Sequence, residues 1–244
     1  MLDLEVCVDS VESAKAAAEG GADRLEVCSA LALGGLTPTI GLISAIRRQL
    51  PDTRLMAMLR PRHGDFVYSI EELEVIQKDL FALRDAGANG FVFGAMNEQG
   101  GLAIDECREV VSASGGLPVT LHRAIDVCSD WRKAIDDAVK CGFGTILSSG
   151  QEPTANEGAG ILKEMVEYAG ENIIIMAGGG LTPVNIRHVA KISGCRWLHG
   201  SASIARAASE AFVQFPFGSA DASNPIQVTD ADTTRLMKQA ISDL

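Results

Sequence analysis

The chain is predicted to be one parallel (β/α)₈ barrel spanning residues 1–244, and three observations carry that expectation. Short apolar runs alternate with amphipathic segments along the chain, the pattern of βαβ units and a parallel sheet. Glycine stands where six of the seven expected helices between strands should stop, at Gly20-Gly21, Gly87, Gly115-Gly116, Gly142, Gly170 and Gly194. Such a residue supplies the left-handed turn that closes a helix. The length of 244 residues suits eight such units in a single domain.

The strands are expected at Leu2–Cys7, Arg24–Cys28, Arg54–Arg60, Gly90–Phe93, Val119–His122, Thr145–Ser148, Ile173–Ala177 and Arg196–His199. Helices fill the gaps at Ser10–Glu19, Ile40–Leu50, Glu71–Ala86, Ile104–Ser112, Trp131–Lys140, Glu157–Ala169 and Pro183–Ile192. Thr182-Pro183 reads as an N-cap followed by a first helical residue. The rhythm then breaks: about 214–228, with Phe-Pro-Phe-Gly and Ser-Asn-Pro, reads as a long loop. Thr229-Asp-Ala-Asp caps a final helix reaching about Ile241. A doubly wound open sheet is the competing architecture. No G-x-G-x-x-G follows the first strand, so no nucleotide cofactor is expected.

Composition narrows the function classes. A formal net charge of −11 argues against nucleic acid and against an anionic membrane surface, which both need clustered basic residues. It leaves room for a small anion met by a few local arginines. The opening residues lack the basic and apolar regions of a signal peptide, and no run approaches a membrane span of roughly 18 residues. The expectation is a cytoplasmic protein whose six scattered cysteines stay reduced.

Alternation decides which strand residues face the barrel interior. The tetrapeptide Leu-Glu-Val-Cys ends both of the first two strands, at 4–7 and 25–28. Leu4, Val6, Leu25 and Val27 point outward to the helices, which turns Glu5, Cys7, Glu26 and Cys28 inward, with the two thiols as neighbours. Paired thiols suit Cu(I), and Met58 offers a thioether on the next strand. The alternative is that both cysteines simply pack as small hydrophobes. The third strand ends in Arg60-Pro-Arg62-His-Gly-Asp-Phe66, where two guanidinium forks offer seats for a carboxylate or phosphate, or else pair with Glu5, Glu26 or Asp65.

At the end of the fifth strand, His122 shares a face with Thr120 and points into the mouth; Asp126 either orients it or pairs with Arg123. The seventh strand leads into Gly178, Gly179 and Gly180, and the eighth into His199-Gly200-Ser201, the positions of the usual phosphate cradle. An enzyme built on this set would use His122, Glu26 and Glu5 for proton exchange. Arg60, Arg62, Arg123, Ser201 and the glycines would hold the anion.

These residues together resemble the copper homeostasis protein CutC family over roughly the first 200 positions. The resemblance is carried by Glu5-Val-Cys-Val-Asp-Ser10, Gly20-Gly-Ala-Asp-Arg-Leu-Glu-Val-Cys28, Gly34-Gly-Leu-Thr-Pro38, Arg60–Phe66, Leu121-His-Arg-Ala-Ile-Asp126, Leu147-Ser-Ser-Gly-Gln151 and Met176-Ala-Gly-Gly-Gly180. It implies a cytoplasmic TIM barrel, a homodimer or larger homo-oligomer, with Cu(I) as ligand at Cys7 and Cys28. Two departures stand out: His63 replaces a usual glycine, and Gly200 stands where some relatives carry a further cysteine. The arginines, carboxylates and His122 fit a small-anion enzyme better than a copper carrier, so the resemblance leaves two classes of function open.

Overall fold

The computed structural model describes residues 2–206 and 226–244. Eight parallel strands close in sequence order: β1 (Asp3–Val8), β2 (Arg24–Val27), β3 (Leu55–Met58), β4 (Gly90–Phe93), β5 (Val119–Leu121), β6 (Thr145–Ser148), β7 (Ile174–Gly178) and β8 (Trp197–Gly200). β1 pairs with both β2 and β8, so the sheet has no free edge. This is the expected (β/α)₈ TIM barrel and excludes the open sheet.

The outer ring is α1 (Val11–Glu19), α2 (Ile40–Gln49), α3 (Ile70–Asp85), α4 (Ile104–Ala113), α5 (Trp131–Cys141), α6 (Ala159–Ala169), α7 (Ile186–Ser193) and α8 (Ala231–Ala240). Local chemistry starts these helices. The Ser10 hydroxyl accepts the Ser13 N–H at α1, Ser69 and Glu72 form a reciprocal capping box at α3, and Asp130 accepts two N–H groups at α5. Left-handed Gly142 and Gly194 close α5 and α7.

The core has two compartments. Leu4, Val6, Leu25, Val27 and Leu55 face outward and pack in one continuous layer with helix residues such as Ala14, Ile43, Ile46 and Leu80. Inside the barrel a separate apolar cluster joins Cys28, Met56, Met58 and Val92. The inward assignment of Cys28 and Met58 therefore holds.

Three expectations are corrected. α7 begins at Ile186 rather than Pro183: Asn185 takes the N-cap position, and its Oδ1 accepts the Thr182 N–H ahead of the helix instead of a helix N–H. α6 begins at Ala159, since Thr154 and Glu157 bond each other in a preceding turn. Of the loop expected at about 214–228, the part before 226 lies outside the described residues. Ile226–Thr229 is instead a strand, β10, paired antiparallel with β9 (Ser203–Arg206). This ribbon is inserted between β8 and α8, and the Thr229 Oγ1 donates to the Ser201 carbonyl at 3.0 Å.

Candidate functional site

A cavity of about 650 Å³ opens at the C-terminal mouth of the barrel, with the β9–β10 ribbon forming part of its rim. Strand ends supply its floor: Cys7 from β1, Glu26 from β2, Met58 and Arg60 from the end of β3, His122 after β5 and His199 from β8.

On one wall the barrel register builds an ionic cluster. Glu5 stands opposite Arg24 on β2 and His199 on β8. Its fully buried carboxylate accepts the Arg24 Nε–H at 2.5 Å and faces His199 Nδ1 at 2.7 Å. Burial alone would raise the Glu5 pKa, but the His199 hydrogen bond and the Arg24 charge outweigh it, and the pKa is lowered. Glu26 differs. Burial raises its pKa and the charge of Glu5 adds to that; its nearest cationic contact, His199 Nε2, is 3.8 Å away. Burial would push His199 down, yet Glu26 first, and then Cys7 and Glu5, lift it well above the usual histidine value, so the ring is held as imidazolium.

Cys7 stands opposite Glu26 in the register, and donor atoms of Cys7, Glu26 and His199 all lie within 4.8 Å of one another. Cys28 lies two residues beyond Glu26, outside this group. Its thiol donates to Glu26 Oε2 at 3.5 Å. Burial and the Glu26 charge raise its pKa well above the ordinary thiol range. Equal position in the two Leu-Glu-Val-Cys segments therefore does not mean equal height: the stagger of neighbouring strands in a closed barrel offsets them by two residues.

The other wall carries Arg60 and His122. Arg60 is 7% exposed; its Nη1 donates to the carbonyls of Leu33 and Gly35 and its Nη2 to that of Gly64. Its Nε has no partner, and no carboxylate pairs with it among the described residues. His122 Nδ1 accepts the Ala124 N–H at 3.2 Å, which leaves the proton on Nε2, itself without a partner. Burial and the nearby Arg60 charge hold its pKa down to about 3, so the ring is neutral. Phe66 lies against both, its ring 4.7 Å from the His122 ring and 5.0 Å from the Arg60 guanidinium.

Other expected anion ligands lie elsewhere or are already engaged. Arg62 does not line the cavity: its guanidinium holds Glu72 at 2.5 Å and the Val67 carbonyl at 2.8 Å, stiffening the loop after β3. Arg123 lines the cavity but is bound by Asp126 at 2.7 Å and by the Ser149 hydroxyl. Asp126 thus pairs with Arg123 rather than orienting His122. Gly178, Gly179 and Gly180 do not line the cavity. Gly178 leaves room for its neighbours, since a Cβ there would sit 2.5 Å from Leu147 Cδ1 and 3.0 Å from His199 Cβ. Ser201 lines the cavity and shares a 2.9 Å hydrogen bond with Ser203. Arg24 is the site residue that sequence reasoning passed over, and His199, expected in the phosphate cradle, instead joins an ionic cluster with Glu5. His199 stands opposite Glu5 in the β1–β8 register, which turns it inward with Glu5.

No described helix is long and apolar enough to cross a membrane. The model of the CutC family matches residues 2–204. The chain is 42% identical over 241 residues to the copper homeostasis protein cutC homolog of Caenorhabditis elegans, covering 99% of this chain and 96% of that one. The Drosophila melanogaster homolog is 46% identical over 206 residues, covering 82% and 77%. The solved CutC structure from Streptococcus agalactiae superposes with a TM-score of 0.78 at 32% identity, covering 82% of this chain and 99% of that one. Phosphoribosyl anthranilate isomerase from Thermotoga maritima matches with a TM-score of 0.59 at 14% identity over all of both chains, a likeness of fold alone. Sequence, length and barrel agree: the chain belongs to the CutC family.

Proposed function

We propose that this protein handles copper as Cu(I), held at the barrel mouth by Cys7 and Cys28. The observation that carries the reading is the convergence of Cys7, Glu26 and His199 donor atoms within 4.8 Å, with the Cys28 thiol bonded to the same Glu26. The donor set fits the ion: two thiols, an imidazole and the Met58 thioether are the soft and intermediate ligands that Cu(I) prefers. Each thiol must lose its proton to ligate, and so must the His199 imidazolium; Glu26, whose pKa is raised and which touches both His199 and the Cys28 thiol, lies where such a proton can be taken up. Glu5 holds the His199 ring in place from behind, as outer carboxylates do for ligating histidines. A reducing cytoplasm suits six free, buried cysteines.

The test is titration of the reduced chain with Cu(I) against a competing chelator. Wild type is expected to bind stoichiometrically and Cys7→Ser/Cys28→Ser to lose that binding. Glu5→Gln, which leaves every donor atom in place, is expected to weaken it by about 10–100-fold. Wild-type affinity in the double variant overturns the reading.

A further inference from the structure

Copper handling gives no role to Arg60 or His122. Both lie in the wall of the same cavity, and each is more than nine-tenths buried with one nitrogen lacking a partner. A guanidinium is always cationic, and a buried cation without a counter-charge is costly for any fold. The two orphaned groups are both N–H donors, Arg60 Nε and His122 Nε2, and both side chains lie against the ring of Phe66.

We propose that Arg60 and His122 form the seat for a small organic carboxylate, a ligand site separate from the copper thiols. Two unpartnered donors beside one ring match in number the two oxygens of a carboxylate. A phosphoryl group asks for more donors, and the glycine stretch that would supply them at 178–180 does not line the cavity. Arg60 provides the charge; neutral His122 adds a hydrogen bond without a second charge. Half-buried Phe66 covers both donors, so the ligand reaches them by turning that ring aside. Met58, Leu31 and Leu147 offer apolar wall for a short carbon skeleton, within the volume usual for a small-molecule site. The barrel order sets β5, which delivers His122, across from β1. The far end of the ligand therefore faces Cys7, Glu26 and His199.

The experiment uses the full chain with chelator present, so that copper plays no part. Calorimetric titration and thermal unfolding are followed with sodium pyruvate, malonate and benzoate, against sodium phosphate and sodium chloride at equal ionic strength. A carboxylate is expected to bind one to one and to raise Tm. Arg60→Gln and His122→Phe, each checked by circular dichroism, are expected to weaken that binding by about tenfold or more. If Arg60→Gln fails to fold, His122→Phe decides, because it keeps a ring against Phe66 while deleting the Nε2 donor, and circular dichroism checks that the lost Nδ1 acceptor for the Ala124 N–H leaves the fold intact. Three results would overturn the proposal: no carboxylate binds better than chloride, phosphate binds as well as the carboxylates, or the folded variants bind as wild type does.

Discussion

Glu5 and Glu26 are two buried carboxyl groups on adjacent strands with opposite acidities, and their neighbours explain the difference. Arg24 and His199 both reach Glu5 within ordinary hydrogen-bond distance, whereas Glu26 faces a thiol and a longer contact to His199. Such separated carboxyls mark sites that hold and move protons. His122 gives a cleaner pH signature. In the unfolded chain it titrates near pH 6.5, and in the fold it is held down to about 3. Above about pH 6.5 both states are neutral and the residue contributes no pH dependence. Below that, the unfolded chain binds a proton that the folded chain refuses, and stability falls by about 1.4 kcal/mol per pH unit until about pH 3. His122→Gln is expected to flatten this slope, measured as the difference in urea midpoints between variant and wild type from about pH 7 to about pH 4.

Among the elements, α1 and α8 pack closely at Gly20. Gly20, the C-cap of α1, has ordinary negative φ, so its reason is room rather than conformation. A Cβ there would sit 2.6 Å from the Ala231 carbonyl oxygen and meet the Thr234 side chain as well. Gly20→Ala is expected to cost about 1–3 kcal/mol by forcing α8 off α1, read as a lower thermal midpoint with Cu(I) affinity per folded molecule preserved. Helix identity was legible because caps and glycine stops are local. The α7 start was misplaced because Thr182 and Pro183 carry cap chemistry, yet the Asn185 side chain bonds both Thr182 N–H and the Gly180 carbonyl and delays the helix. The β9–β10 pair left little signal. Ser-Ile-Ala-Arg and Ile-Gln-Val-Thr are four-residue segments far apart in sequence, and neither announces its partner.

For the whole molecule, alternation of elements was enough to give the barrel, and strand alternation enough to turn Glu5, Cys7, Glu26, Cys28 and His122 toward its mouth. Heights within the barrel were not readable, because stagger is a property of the closed sheet; hence Cys7 faces Glu26 rather than Cys28. The missing partner of Arg60 and the engagement of Arg62 by Glu72 are likewise side-chain facts that no local pattern encodes. A global consequence is testable with thiol reagents. Cys7, 9% exposed on the cavity wall, is expected to react first in the copper-free native protein. The other five should become reactive together in the unfolding transition; their early, separate modification would show that the barrel opens locally. The seam between β1 and β8 has a bearing on how the protein is made. Glu5 and His199 are 194 residues apart in sequence. On the ribosome the first strand waits for almost the whole chain before its carboxylate meets its imidazole, and contacts of such long range form late. A nascent chain therefore carries Glu5 and Cys7 for most of its synthesis without the pocket that Cys7 lines, and the site is complete only once the last barrel strand is in place.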